Sequence, residues 1–105
     1  MKILTNSQQY DKLIISHWDF IVFKNSITCS ISWGECKEVY QAVNELWLEE
    51  IYMLEVLEYP ELKYYIADQT WVQHESPQLL IFRKWQPIAH ASHYDITKDW
   101  IKNHI

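Results

Sequence analysis

The sequence predicts an α/β domain built on a mixed sheet with helices on both faces. Three features predict it. Asp19–Lys24 (DFIVFK) is a short, continuous apolar run of the kind that forms a strand buried on both faces. Runs of this type alternate with longer stretches whose apolar residues recur at helical spacing. Near the end, Gln78–Phe82 (QLLIF) and Ile88–Ala91 are separated by a turn around Arg83–Gln86, which reads as a hairpin.

Taken in order, Met1–Leu4 fits a short edge strand. Asn6 followed by Gln9 resembles a capping box, and Tyr10, Leu13 and Ile14 then supply the apolar face of a first helix. After the Asp19–Lys24 strand and the polar Asn25–Thr28 comes the longest helical pattern, with Cys36, Val39, Tyr40, Val43, Leu46 and Trp47 on one stripe. Ile51–Val56 is the next strand. Pro60 suits the first turn of a helix faced by Leu62, Tyr65 and Ile66. The hairpin follows, and Asp95 is placed to cap a last helix with Ile96, Trp100 and Ile101 inward. The order β-α-β-α-β-α-β-β-α, with right-handed crossovers, is that of the thioredoxin fold.

The 105 residues make one domain, 1–105, with no internal repeat or linker. A net charge of −5 with acids and bases interspersed argues against a nucleic-acid partner, which needs a clustered basic face. No apolar run approaches the roughly 20 residues of a membrane span. The start MKILTNSQQYDK lacks the apolar core of a signal peptide, so the expected location is cytoplasmic. Six Trp and seven Tyr are more than one small core can bury, which implies aromatics exposed around a site or interface. With a single Gly, turns are expected to rely on Asn, Asp, Lys and Pro.

Cys29 stands between the buried strand and the longest helix, in Thr28-Cys29-Ser30-Ile31-Ser32. A thiol at a helix start meets unpaired N–H groups and the positive end of the dipole, both of which favour thiolate. Ser32 can bring a hydroxyl near the sulfur without forming a disulfide. On spacing alone, a reactive thiol and a small residue that merely begins the helix are equal alternatives.

Three stretches carry a closer likeness: Phe23-Lys24-Asn25-Ser26-Ile27-Thr28-Cys29-Ser30-Ile31-Ser32, His74-Glu75-Ser76-Pro77-Gln78, and His90-Ala91-Ser92-His93-Tyr94-Asp95-Ile96-Thr97. In their order and spacing the chain resembles the monothiol bacilliredoxins, thioredoxin-like proteins of the bacillithiol redox system. Its Cys-x-x-Ser is similar to the site of monothiol glutaredoxins. Ser30 stands where the bacilliredoxins commonly have proline, which leaves the helix start less rigid. The resemblance implies a thiol-disulfide oxidoreductase with Cys29 as nucleophile and Ser32 supporting its thiolate. It implies a substrate contact surface of Thr28, Ser30, Ser76 and Pro77, with a cis bond before Pro77. It further implies no bound cofactor, a low-molecular-weight thiol such as bacillithiol as co-substrate, thiol-modified proteins as substrates, and a flavin-dependent disulfide reductase as partner. Two other classes compete: an iron–sulfur carrier that shares a cluster between two subunits, and a non-catalytic binding module.

Cys36 lies seven residues beyond Cys29, about 10 Å of helical rise, whereas a disulfide needs Cα atoms within about 7 Å. Its place on the apolar stripe marks a core thiol rather than a resolving one. Trp33 reads equally as an aromatic wall beside the site or as core. His90 and His93 do not have zinc-site spacing, and no metal is expected. Glu49-Glu50 and Asp95/Asp99 read as solvated helix ends.

Overall fold

A computed structural model of the chain describes residues 1–26 and 30–105; for residues 30–32 the description is limited to the backbone. The elements are β1 (Lys2–Ile3), α1 (Ser7–Ser16), β2 (Asp19–Asn25), α2 (Ser30–Leu46), β3 (Ile51–Glu55), α3 (Pro60–Thr70), β4 (Gln78–Arg83), β5 (Gln86–Ser92), a 3₁₀ turn (His93–Asp95) and α4 (Lys98–His104). The five strands form one sheet in the order β1-β3-β2-β4-β5. β1, β3 and β2 run parallel, and β4 and β5 are antiparallel additions.

Strand periodicity sorts the core into two layers. Phe20 and Val22 point to one face with Leu54, Leu80 and Phe82, where Tyr10 and Leu13 of α1 and Leu62 and Ile66 of α3 cover them. Ile21 and Phe23 point to the other face with Leu79 and Ile81, beneath Val39 and Ala42 of α2 and Ile101 of α4. Every residue of β2 after Asp19 is buried, which explains its uninterrupted apolar run.

Local signals place several ends. Asn6 Oδ1 accepts from Gln9 N at 2.9 Å, while Gln9 Oε1 accepts from the Thr5 amide at 2.7 Å. The box is thus closed one residue earlier than a standard one. Pro60 opens α3, where its missing N–H costs nothing.

Three expectations need correction. α4 is capped by Thr97, whose Oγ1 accepts from Trp100 N at 3.1 Å, and Asp95 belongs to the preceding 3₁₀ turn. Trp47 lies just past the end of α2 and is 88% exposed, and Tyr40 is exposed; the predicted stripe keeps Cys36, Val39, Val43 and Leu46 on the core and is joined there by Ala42, while Glu35 is also buried. The hairpin turn lies where expected, between the paired Arg83 and Gln86, with Lys84 and Trp85 both left-handed, as the twist of a tight hairpin demands. Positive φ also falls on Trp47, Trp71 and His93, so bulky residues rather than Asn or Asp take these positions.

Candidate functional site

α2 leaves β2 onto one face of the sheet and α3 leaves the adjacent β3 onto the other, so the carboxyl ends of these two strands lie at a topological switch point, where α/β sheets place their ligands. Asn25 ends the strand and α2 begins at Ser30. Thr28 and Cys29 lie outside the described residues, as do the side chains of Ser30 and Ser32.

The second motif is brought to this end of the sheet. Lys24 of β2 is paired with Gln78 of β4, so Pro77 follows the register to the level of Asn25. The Ser76–Pro77 peptide is cis. Pro77 is buried and Ser76 half-buried. The third motif meets the second here, because the His93 amide donates to the Pro77 carbonyl at 2.9 Å. The His93 ring also lies 3.9 Å from a Glu75 carboxylate oxygen.

On the α2 side, Asn25 Nδ2 donates to Glu55 Oε2 at 3.2 Å, and the Val56 amide donates to the Asn25 carbonyl at 2.9 Å. Burial raises the Cys36 thiol pKa, and the Glu55 charge raises it further. Burial likewise raises Glu35 above its usual carboxylate range, with Glu38 adding to the effect.

On the α1 side, Lys24 is fully buried and its amine lies 3.4 Å from Nδ1 of His74. Burial, then the Lys63 charge, lowers Lys24 to about 8. Burial, then Lys24 and Lys63, lowers His74 to about 4, so the ring is neutral at physiological pH.

Residues 2–101 match the family described as monothiol bacilliredoxin BrxC. The chain belongs to that family. Among solved structures, one described as having a thioredoxin fold is 28% identical and superposes with a TM-score of 0.91, covering 97% of this chain and 90% of that one. Mitochondrial thioredoxin 3 from Saccharomyces cerevisiae, in its oxidised form, is 15% identical with a TM-score of 0.78, covering 100% and 92%. Plasmodium falciparum thioredoxin is 13% identical with a TM-score of 0.76, covering 98% and 94%. These last two show the fold alone.

Cys36 is a free, partly buried thiol packed on the α2 core layer, the core placement that its position on the apolar stripe predicts. Trp33 is 73% exposed on the first turns of α2, which excludes the core reading. No group of three His, Cys, Asp or Glu among the described residues could hold a metal ion. Glu50 is more than a solvated end: it precedes β3 and gathers Lys2 (3.2 Å), His17 (3.1 Å) and the Tyr52 hydroxyl. No described helix is long and apolar enough to cross a membrane.

Sequence reasoning missed the Lys24–His74 contact and the burial of Glu35. Lys24 carried a signal, a lysine inside an otherwise apolar central strand. Glu35 carried one only in its i, i+4 spacing to Val39.

Proposed function

We propose that this monothiol bacilliredoxin reduces mixed disulfides between proteins and a low-molecular-weight thiol such as bacillithiol, in the cytoplasm, through a Cys29 thiolate. The observation that carries the reading is the meeting of two motifs at one end of the sheet. Ser76–Pro77 stands level with the end of β2, four residues before Cys29 in the chain.

The substrate protein lays an extended segment along Ser76, pairing with its backbone as an added strand does. Thr28 and Ser30 complete this contact surface. The Cys29 thiolate attacks the sulfur contributed by the small thiol. The protein–thiol S–S bond breaks, a new S–S bond joins Cys29 to the small thiol, and the substrate cysteine leaves as a thiolate that takes a proton from solvent. A second small-thiol thiolate then attacks the small-thiol sulfur of that adduct. The products are the symmetrical small-thiol disulfide and Cys29 thiolate. A flavin-dependent reductase returns the disulfide to two thiols.

Two features favour thiolate at Cys29. α2 has 17 residues and begins at Ser30, so its unpaired N–H groups and positive dipole end lie at the site. Ser32 can donate its hydroxyl to the sulfur. Cys36, held neutral by burial and by Glu55, is a poor competitor.

The test is turnover of a protein disulfide-linked to bacillithiol. Cys29→Ser loses the activity, and Cys36→Ser retains most of its single-turnover rate. Equal losses in the two variants refute the monothiol mechanism.

A further inference from the structure

Two buried polar side chains are not used by the chemistry above. Lys24 and Gln78 oppose each other across β2 and β4, on the α1/α3 face, and are 0% and 1% exposed. A lysine amine in such a place is costly unless it is paired. Among the described residues no carboxylate is within ion-pairing distance of it, and its amine meets His74 Nδ1 at 3.4 Å. An ammonium only donates, so Nδ1 is the acceptor and the ring proton sits on Nε2.

Gln78 reaches the same stretch from beneath, its Nε2 donating to the Gln73 carbonyl at 3.0 Å and to Ser92 Oγ at 3.4 Å. The two contacts therefore fall on consecutive residues, Gln73 and His74, of the segment 71–77 that leads from α3 to Pro77. The His74 ring also meets Tyr64 of α3 edge to face, with centroids 6.1 Å apart. The charged groups around the pair are Lys63 from α3 and Glu75 from the segment itself. Lys24 also points to the sheet face opposite α2, as the alternation along β2 requires, so its partner is this segment rather than the helix that follows Cys29.

We propose that Lys24 and Gln78 are positioning residues, a buried two-point latch that holds segment 71–77, and Ser76–Pro77 with it, against the end of β2 for substrate docking. The docking part rests on the function proposed above; the latch itself does not.

Lys24→Met and Gln78→Leu keep the volume of each side chain and remove its donors. In hydrogen-exchange mass spectrometry on the full chain, the amides of 72–76 exchange about ten-fold faster in each variant, with β2 and β3 no faster than wild type. In steady-state reduction of a bacillithiol-modified protein, KM rises about ten-fold while kcat stays within about two-fold. His74→Gln, which keeps an acceptor, stays nearer wild type than His74→Ala in both readouts. Unchanged exchange over 72–76 in Lys24→Met overturns the latch, whatever the enzyme does. So does a shift of the Cys29 alkylation pH profile with no change in exchange, which would make Lys24 an electrostatic partner of the thiol. Faster exchange in a protein that reduces no mixed disulfide supports the latch and refutes the function.

Discussion

Replacing Lys24 by methionine should stabilise the fold while loosening the segment that Lys24 holds. The amine is fully buried, and burial with the Lys63 charge lowers its pKa from 10.5 to about 8. At 1.36 kcal/mol per pH unit, that lowering amounts to about 3 kcal/mol against the charged amine. Methionine has nearly the same length and no charge to desolvate, and the lost hydrogen bond to His74 returns about 1 kcal/mol. The net gain at pH 7 is about 2 kcal/mol, or roughly 10 °C in Tm for a domain of this size. The sign with pH follows from linkage. Between about 8 and 10.5 the unfolded chain binds more protons at Lys24 than the folded one, so the wild type gains stability as pH rises through that window. The advantage of Lys24→Met is therefore complete below about pH 8, and near pH 10.5 only the lost hydrogen bond is left, which makes the variant the less stable by about 1 kcal/mol. Urea denaturation of both proteins at pH 7 and at pH 10.5 measures it, effects common to the two cancelling in the difference. A variant less stable at pH 7, or an advantage equal at both pH values, refutes the reasoning.

Two other outcomes are expected. His74 should titrate near 4 by NMR and move upward in Lys24→Met, because Lys24 is the second cause of its depression after burial; a value unmoved by the substitution contradicts the contact. Trp71→Gly should stabilise the domain by about 1 kcal/mol in urea, since Trp71 is 94% exposed and left-handed at the end of α3, where a side chain costs about that much; a loss of stability would show that the indole packs.

The sheet and helices were legible because each carries an unambiguous period. The two-sided burial of β2 appears as DFIVFK, and Pro60 and Asn6 announce the helices they begin. The ends were harder to place. Thr97 and Asp95 are both good caps, and only the 3₁₀ turn at His93–Asp95 decides between them. Trp47 continues the helical spacing of α2, yet the chain turns left-handed there and the ring leaves the core. At the site, Ser76–Pro77 and the third motif were readable as short stretches, and the structure adds that they touch through the His93 amide. The Lys24–His74 contact joins residues fifty positions apart and follows no local rule. A lysine inside an apolar strand announces that a partner exists without naming it.

The central claim, that one cysteine carries the chemistry, is tested most directly by following the small thiol itself. The wild-type protein is mixed with one equivalent of a protein substrate carrying bacillithiol on a single cysteine. The reaction is quenched in acid after one turnover and digested for mass spectrometry. The account predicts the bacillithiol mass on the peptide containing Cys29, an unmodified Cys36 and a released, reduced substrate. Bacillithiol on Cys36, a Cys29–Cys36 disulfide, or a substrate protein left linked to Cys29 would contradict it.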